Sequence, residues 1–305
     1  MDAKLAALFI ALALVTLFYV VVLVRGARRV HAETGDPATP TAGGLATGFF
    51  ANFWDTLGIG SFATTTAIFR QWRMVRDERI PGTLNVGHTL PTIAQAFIFT
   101  TLVPVEPLTL ISMIVAAVLG AWLGAGVVAG LPRRGVQLGM GLALLGAAAL
   151  TAAQAGGIIP GGGAALQLVG TRFIVGLVGN FVLGALMTIG IGLYGPCLIL
   201  VALLGMDPKA AFPIMMGSCA FLMPVASARF VRERAFDLRA AVGLLAGGIP
   251  AVLIAAFIVK SLPLTAVRWL VVAVVIYTAT TLLLAAKRER TAQIAVRSEA
   301  EAASA

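Results

Sequence analysis

Gly58-Ile59-Gly60-Ser61-Phe62-Ala63-Thr64-Thr65-Thr66 breaks an apolar segment running from about 44 to 69. Gly190-Ile191-Gly192-Leu193-Tyr194-Gly195-Pro196-Cys197 breaks a second one, 172 to 204, with the same three leading residues 132 positions later. The surroundings of both are extremely apolar: 59% of the 305 residues are hydrophobic, 11% are charged, and the mean hydropathy is +0.98. That excludes an ordinary soluble fold and predicts an all-α polytopic membrane protein.

Stretches of about 20 apolar residues span the hydrocarbon core of a bilayer. Nine segments qualify: 5–24, 44–69, 83–103, 108–131, 135–155, 172–204, 210–228, 238–260 and 266–286. The first is too long for a cleavable signal and is followed by Arg25, Arg28 and Arg29, so it reads as a membrane helix. The two cysteines, Cys197 and Cys219, lie inside apolar segments without metal or CxxC spacing. The formal net charge of +9 comes from residues at segment ends rather than on one soluble face, which argues against a nucleic-acid partner.

Lys and Arg mark loops that resist translocation. Seventeen of the 22 fall in five clusters, at 25–29, 70–79, 133–134, 229–239 and 287–297, which are assigned to the cytoplasm. Lys4, Arg172, Lys209, Lys260 and Arg268 stand singly at the opposite ends. Segment 44–69 then begins and finishes on the cytoplasmic side, and segment 172–204 on the outer side, so each must enter and return. Each half becomes one broken, returning element plus three full spans. An odd number of crossings leaves the halves in opposite orientations, predicting an inverted repeat preceded by one extra helix. The expected layout is the extra helix at 1–30, a cytoplasmic linker at 31–43, a first repeat at 44–155, an extracytoplasmic loop at 156–171, a second repeat at 172–286, and a cytoplasmic tail at 287–305 that frays from about 291. The N-terminus is expected outside. Leu131-Pro132 against Leu262-Pro263, and Gly87-His88-Thr89 against Gly217-Ser218-Cys219, extend the correspondence at offsets of 131 and 130.

Glycine-rich interruptions at membrane depth survive where protein or a wet cavity surrounds them, and paired interruptions point to a transport site. Free N–H groups and the positive end of a half-helix bind anions without burying a cation. The candidate binding residues are Asn52, Gly58, Gly60, Ser61, Thr64, Thr65, Thr66, Asn85 and His88 in the first half, and Gly190, Gly192, Tyr194, Cys197, Ser218 and Cys219 in the second. The bland alternative is that small residues simply pack helices closely. Asp55, the one carboxylate deep in an apolar segment, is either a proton carrier or a cap for the broken backbone. His88 is a second proton-carrying candidate or a structural histidine. The cysteines could meet a soft sulfur-containing substrate or serve as small core residues, and Arg70 is the loop arginine nearest the first break. No H-E-x-x-H, P-loop or serine-protease signature occurs, and a total of two histidines argues against a multi-histidine metal site, so neither enzyme activity, a metal nor a cofactor is expected.

The glycine breaks, the two Leu-Pro turns and Ile80-Pro81-Gly82-Thr83-Leu84-Asn85-Val86-Gly87-His88 together resemble the TauE/SafE sulfite exporter family, also called toluene sulfonate uptake permeases, over residues 44–286. The resemblance implies a secondary transporter of small anions such as sulfite or organosulfonates in a bacterial inner membrane. The chain departs from the family pattern in carrying Thr64-Thr65-Thr66 where the second half has Pro196-Cys197. The expected partners are a small anion and the lipid bilayer, and a homodimer is an allowed assembly. The competing class is an ion or small-solute channel built from the same broken helices.

Overall fold

The computed structural model describes residues 2–35, 38–129, 132–158, 163–188 and 192–304. Eleven α-helices are formed by these residues: α1 (Ala3–Thr34), α2 (Ala42–Thr56), α3 (Ser61–Gln71), α4 (Ile80–Leu102), α5 (Pro107–Ala129), α6 (Arg133–Ala155), α7 (Gly170–Met187), α8 (Tyr194–Leu203), α9 (Ala211–Glu233), α10 (Leu238–Ser261) and α11 (Leu264–Ser304). Among the described residues seven helices are long and apolar enough to cross a membrane, so the chain is a multi-pass, all-α membrane protein. The 23-residue α4 is also long enough, but Thr83, His88, Thr89, Thr92 and Gln95 lower its hydropathy. All five are buried in protein rather than facing outward.

Helix boundaries follow local chemistry. Thr41 caps α2 by accepting from the Gly44 N–H at 2.9 Å, and Asp237 caps α10 by accepting from Ala240 N–H at 2.8 Å. Gly35, at φ 68°, ends α1 a few residues later than the 1–30 expected from sequence. The tail expected to fray from about 291 instead continues α11 to Ser304. Its Ala, Glu, Gln and Arg content has high helix propensity, which outweighs its lack of an apolar face.

Both broken elements double back. Met74, just past α3, places its Sδ 4.0 Å from Thr47 Oγ1 near the start of α2. A continuous helix would separate those positions by about 40 Å at its 1.5 Å rise. In the second half, a Cβ on Gly205, just past α8, would lie 3.1 Å from Arg172 Nη1 at the start of α7. The two elements therefore enter and return, as the arginine pattern requires.

Helix pairing crosses between the halves. α2 packs along α10 and α7 along α5, so the first arm of each broken element lies on the second full helix of the other half. α4 packs on α9, and α6 on α11. The last two pairs are antiparallel: Gly82 meets Ala235, Thr89 bonds Ser227, and Phe99 stacks on Phe212 with centroids 5.2 Å apart. Likewise Gly141 touches Leu283 while Gln154 and Arg268 line one small cavity. Helices in the same place in the two halves thus run in opposite directions, which supports the inverted-repeat reading. Without a hydrophobic force between helices in lipid, close backbone approach carries much of the packing. A Cβ on Gly247 would run into the Leu45 carbonyl of α2, and one on Gly184 into the Ala117 carbonyl of α5.

Charge sorts to the ends of the bundle. Arg234 pairs with Glu33 at 2.7 Å, Arg239 donates to the Thr39 carbonyl, and Arg70 pairs with Asp77 at 3.1 Å. With Gly82 against Ala235, these contacts bring the clusters at 25–34, 70–79 and 229–239 together at one end. At the other end Glu106 N–H donates to the Leu166 carbonyl, Asp207 N–H to that of Ala165, and Lys209 Nζ to that of Leu262. That end carries the single cations, matching the partition read from sequence.

Candidate functional site

At the first break, Gly58 and Gly60 adopt φ values of 99° and 89°, a left-handed region open to glycine. This turn lets α3 start beside the end of α2 and brings the Asp55 carboxylate over the new helix start. Asp55 Oδ1 accepts from the Ser61 N–H at 2.6 Å. Its Oδ2 accepts from the Gln95 amide at 2.9 Å, and the same amide nitrogen donates to Thr56 Oγ1 at 2.9 Å. Thr56 in turn donates to the Asn52 carbonyl at 2.7 Å. On its other side, the Gln95 carbonyl accepts from the Tyr194 hydroxyl at 3.2 Å. Tyr194 is the first residue of α8, the half-helix that follows the second break. Gly58 also lies against Leu198 of α8. The two broken elements thus touch, and a chain of polar groups joins them.

A second network stands beside the first. His88 lies between Thr65 Oγ1, 3.0 Å from Nε2, and Asn52 Oδ1, 3.1 Å from Nδ1. Asn52 donates to the Gly48 carbonyl at 2.8 Å and reaches toward that of Leu244, 3.5 Å away on α10. His88, Asn52 and Thr65 are fully buried. Deep polar groups of this kind are costly in a membrane and persist where they bond one another.

The second half carries a reduced counterpart. Asn180 on α7 donates to the Met113 carbonyl at 2.7 Å and lies 3.5 Å from Ser218 Oγ. Ser218 itself donates to the Ile214 carbonyl at 2.7 Å. Among the described residues, Asn180 Oδ1 has no hydrogen-bond partner. Cys219 Sγ lies 3.9 Å from Met187 Sδ, and Cys197 is buried in α8. Leu193, at the cap position of α8, supplies no side-chain acceptor.

Most sequence candidates gather here, but not all. Ser61, Thr65, His88, Asn52, Asp55 and Tyr194 fall in the two linked networks, and Ser218 and Cys219 flank the counterpart. Thr66 turns back to bond the Phe62 carbonyl of its own helix at 2.7 Å, and Thr64 is half-buried. Asn85 bonds the Pro81 carbonyl of its own helix at 3.0 Å and takes no part in the cluster. Gly192 is exposed, and Gly190 lies outside the described residues. Arg70 pairs with Asp77 at the surface. Gln95, Thr56 and Asn180 stand out only as polar residues in apolar helices, and nothing in their spacing shows that Gln95 spans the two breaks. Among the described residues no cluster of three or more His, Cys, Asp or Glu side chains could hold a metal ion.

A family model described as Sulfite exporter TauE/SafE matches residues 172–304. The match is confined to the second half. This supports the resemblance read from sequence; of the features that carry it, the first glycine break, Leu131-Pro132 and the Ile80–His88 stretch lie outside the match. The TauE/SafE family is one of membrane transporters, which points away from an enzyme. Neither the curated proteins nor the solved structures contain a match to the chain.

Proposed function

We propose that this protein is a secondary transporter of a small anion, sulfite, an organosulfonate or a related sulfur-containing or carboxylate anion, working by alternating access. The single observation that carries this reading is the meeting of the two broken elements through Asp55, Gln95 and Tyr194. Residues 44–155 and 172–286 are read as inverted repeats. The arginine-rich end is placed in the cytoplasm of a bacterial inner membrane, with the N-terminus outside.

In this arrangement Asp55 holds the place an anion would take at the start of α3, with Ser61 N–H donating to it. A substrate anion arriving there meets a like charge, so Asp55 must take up a proton or turn aside. Coupling to protons follows from that competition: lower pH favours loading, and the same carboxylate serves as both cap and proton carrier. His88, held on both ring nitrogens, is the structural member of the pair.

Solid-supported-membrane electrophysiology with sulfite, sulfonates and small carboxylates tests the reading. Saturable, anion-dependent currents with counterflow are expected. Silence across the whole panel would remove the transporter reading, and non-saturating flux would mark a channel.

A further inference from the structure

We infer that Gln95 is a latch between the two halves, holding the two half-helices together so that the buried site stays closed when empty. The inference rests on the reading of the two breaks as the transport site and adds to it the part that must open.

The donor and acceptor needs around position 95 admit few side chains. On one side stand two acceptors: Asp55 Oδ2, and Thr56 Oγ1, whose own proton is committed to the Asn52 carbonyl. On the other side stands a donor, the Tyr194 hydroxyl. A primary amide offers two N–H groups at one end and a carbonyl at the other, which satisfies all three. Gln95 extends from α4 in the first half, is fully buried, and its carbonyl is met by the first residue of α8 in the second. Asp55 and Thr56 end α2 and lead into the break. A single side chain therefore ties the first break to the second half-helix. Alternating access needs the elements around the site to part on one side, and this tie crosses between them. Being built from one amide, it can be released by few changes, and a carboxylate that gains a proton or moves toward substrate would release the donor end.

The chain itself carries the reporters. Cys197 and Cys219 are its only cysteines; Cys197 sits three residues beyond Tyr194, and both are buried. N-ethylmaleimide labelling of the substrate-free protein in liposomes, resolved by peptide mass spectrometry, measures opening without any transported ion. Gln95→Ala and Tyr194→Phe both remove the one hydrogen bond that crosses to α8, and each should raise Cys197 labelling by at least about threefold to tenfold, the shift allowed by the loss of that bond. The double variant should label no faster than the faster single one, because both remove one tie. Gln95→Glu should also open the site, since it sets a second carboxylate against Asp55. Combining Gln95→Glu with Asp55→Asn reverses the central bond: the amide now at position 55 accepts from Ser61 and donates to the carboxylate now at position 95, which accepts from Tyr194 and from the Thr56 hydroxyl once that proton turns away from the Asn52 carbonyl. The swap should return labelling to within about twofold of wild type.

Unchanged labelling in Tyr194→Phe, multiplying effects in the double variant, or a swapped protein that labels like Gln95→Glu would each overturn the latch. Tyr194→Phe removes one hydroxyl only, so it keeps the test decisive even where Gln95→Ala fails to fold. General loosening would not be cured by the swap. Labelling results stand whether or not any anion is transported, so failure of the latch and failure of the transport reading are told apart.

Discussion

The two halves keep the same scaffold and divide the chemistry unequally. Gly247 against Leu45 and Gly184 against Ala117 are close backbone contacts in α10·α2 and α5·α7, the glycine lying on the full helix in one pair and on the broken arm in the other. Around the breaks the likeness fades. In the first half Asn52 bonds a histidine that also holds Thr65, and a carboxylate caps the half-helix. In the second half the corresponding asparagine faces a serine, its carbonyl oxygen has no partner among the described residues, and the nearby side chains are thiol, thioether and phenol. Helix packing in lipid depends on backbone approach, which is equally demanding in both copies. The polar groups are under no such shared demand, and the first half supplies the buried carboxylate and most of the hydrogen bonds.

The largest effect is expected where the copies agree. Gly184→Val and Gly247→Val should each lower the thermal midpoint of unfolding in detergent, with a cost of about 1–3 kcal/mol or more from overpacking. If one is tolerated, the scaffold is not shared. Next in size is the asparagine pair. Asn52→Ala strips the bonds to His88 and Gly48, an expected cost of about 1–3 kcal/mol for buried groups left unpaired. Asn180→Ala should cost less, because its carbonyl oxygen is already unpaired; thermal shift on the two variants side by side decides this, and equal losses would erase the asymmetry.

Functional asymmetry is sharpened by Asp55→Asn. Asparagine can still accept from Ser61 N–H, so the cap survives, while the proton-binding group is gone. Anion currents that rise at acidic pH in the wild type should become flat in the variant. A variant with the wild-type pH profile would leave Asp55 as a cap and nothing more.

The smallest effect lies at Glu106, at the end of the bundle opposite the arginine clusters. Burial raises its carboxyl, but the N–H groups of Thr109 and Leu108, the Thr109 hydroxyl and the charge of Lys4 outweigh that and hold it below the ordinary glutamate value. A depressed folded-state value means its stabilisation is present above the unfolded glutamate range and is lost as pH falls through the folded value. Thermal midpoints measured from neutral to strongly acidic pH should fall less steeply in Glu106→Gln. Identical curves would show that the cap contributes nothing to acid sensitivity.

Much of the fold was legible because membrane proteins write it in two simple signals. Apolar length placed the helices within a few residues; the arginine pattern predicts that both broken elements return, and Met74 against Thr47 and Gly205 against Arg172 show that each doubles back on itself. The end of α11 was misread because an Ala- and Glu-rich segment has no apolar face to announce it, while its propensity suffices for a helix. Of the site, the residues nearest the breaks were found from their polarity. Gln95 was not placed there, because it lies on α4 far from either glycine break in sequence and only tertiary packing brings it between them. Asn85, on the same helix and equally polar, bonds its own backbone instead. Polarity in an apolar helix marks a need for partners; which way the side chain points is decided by the neighbours.

The crossed pairing of α2 with α10 and α5 with α7 has a consequence for assembly. Neither half can finish folding by itself, since the surface that receives each broken arm is made by the other half. During synthesis α2 must wait, with its glycine face uncovered, until α10 arrives nearly 200 residues later. A chain severed in the connecting loop should yield two fragments that are degraded when made singly and rescue each other when made together. In that outcome each half would serve as the template on which the other completes its packing.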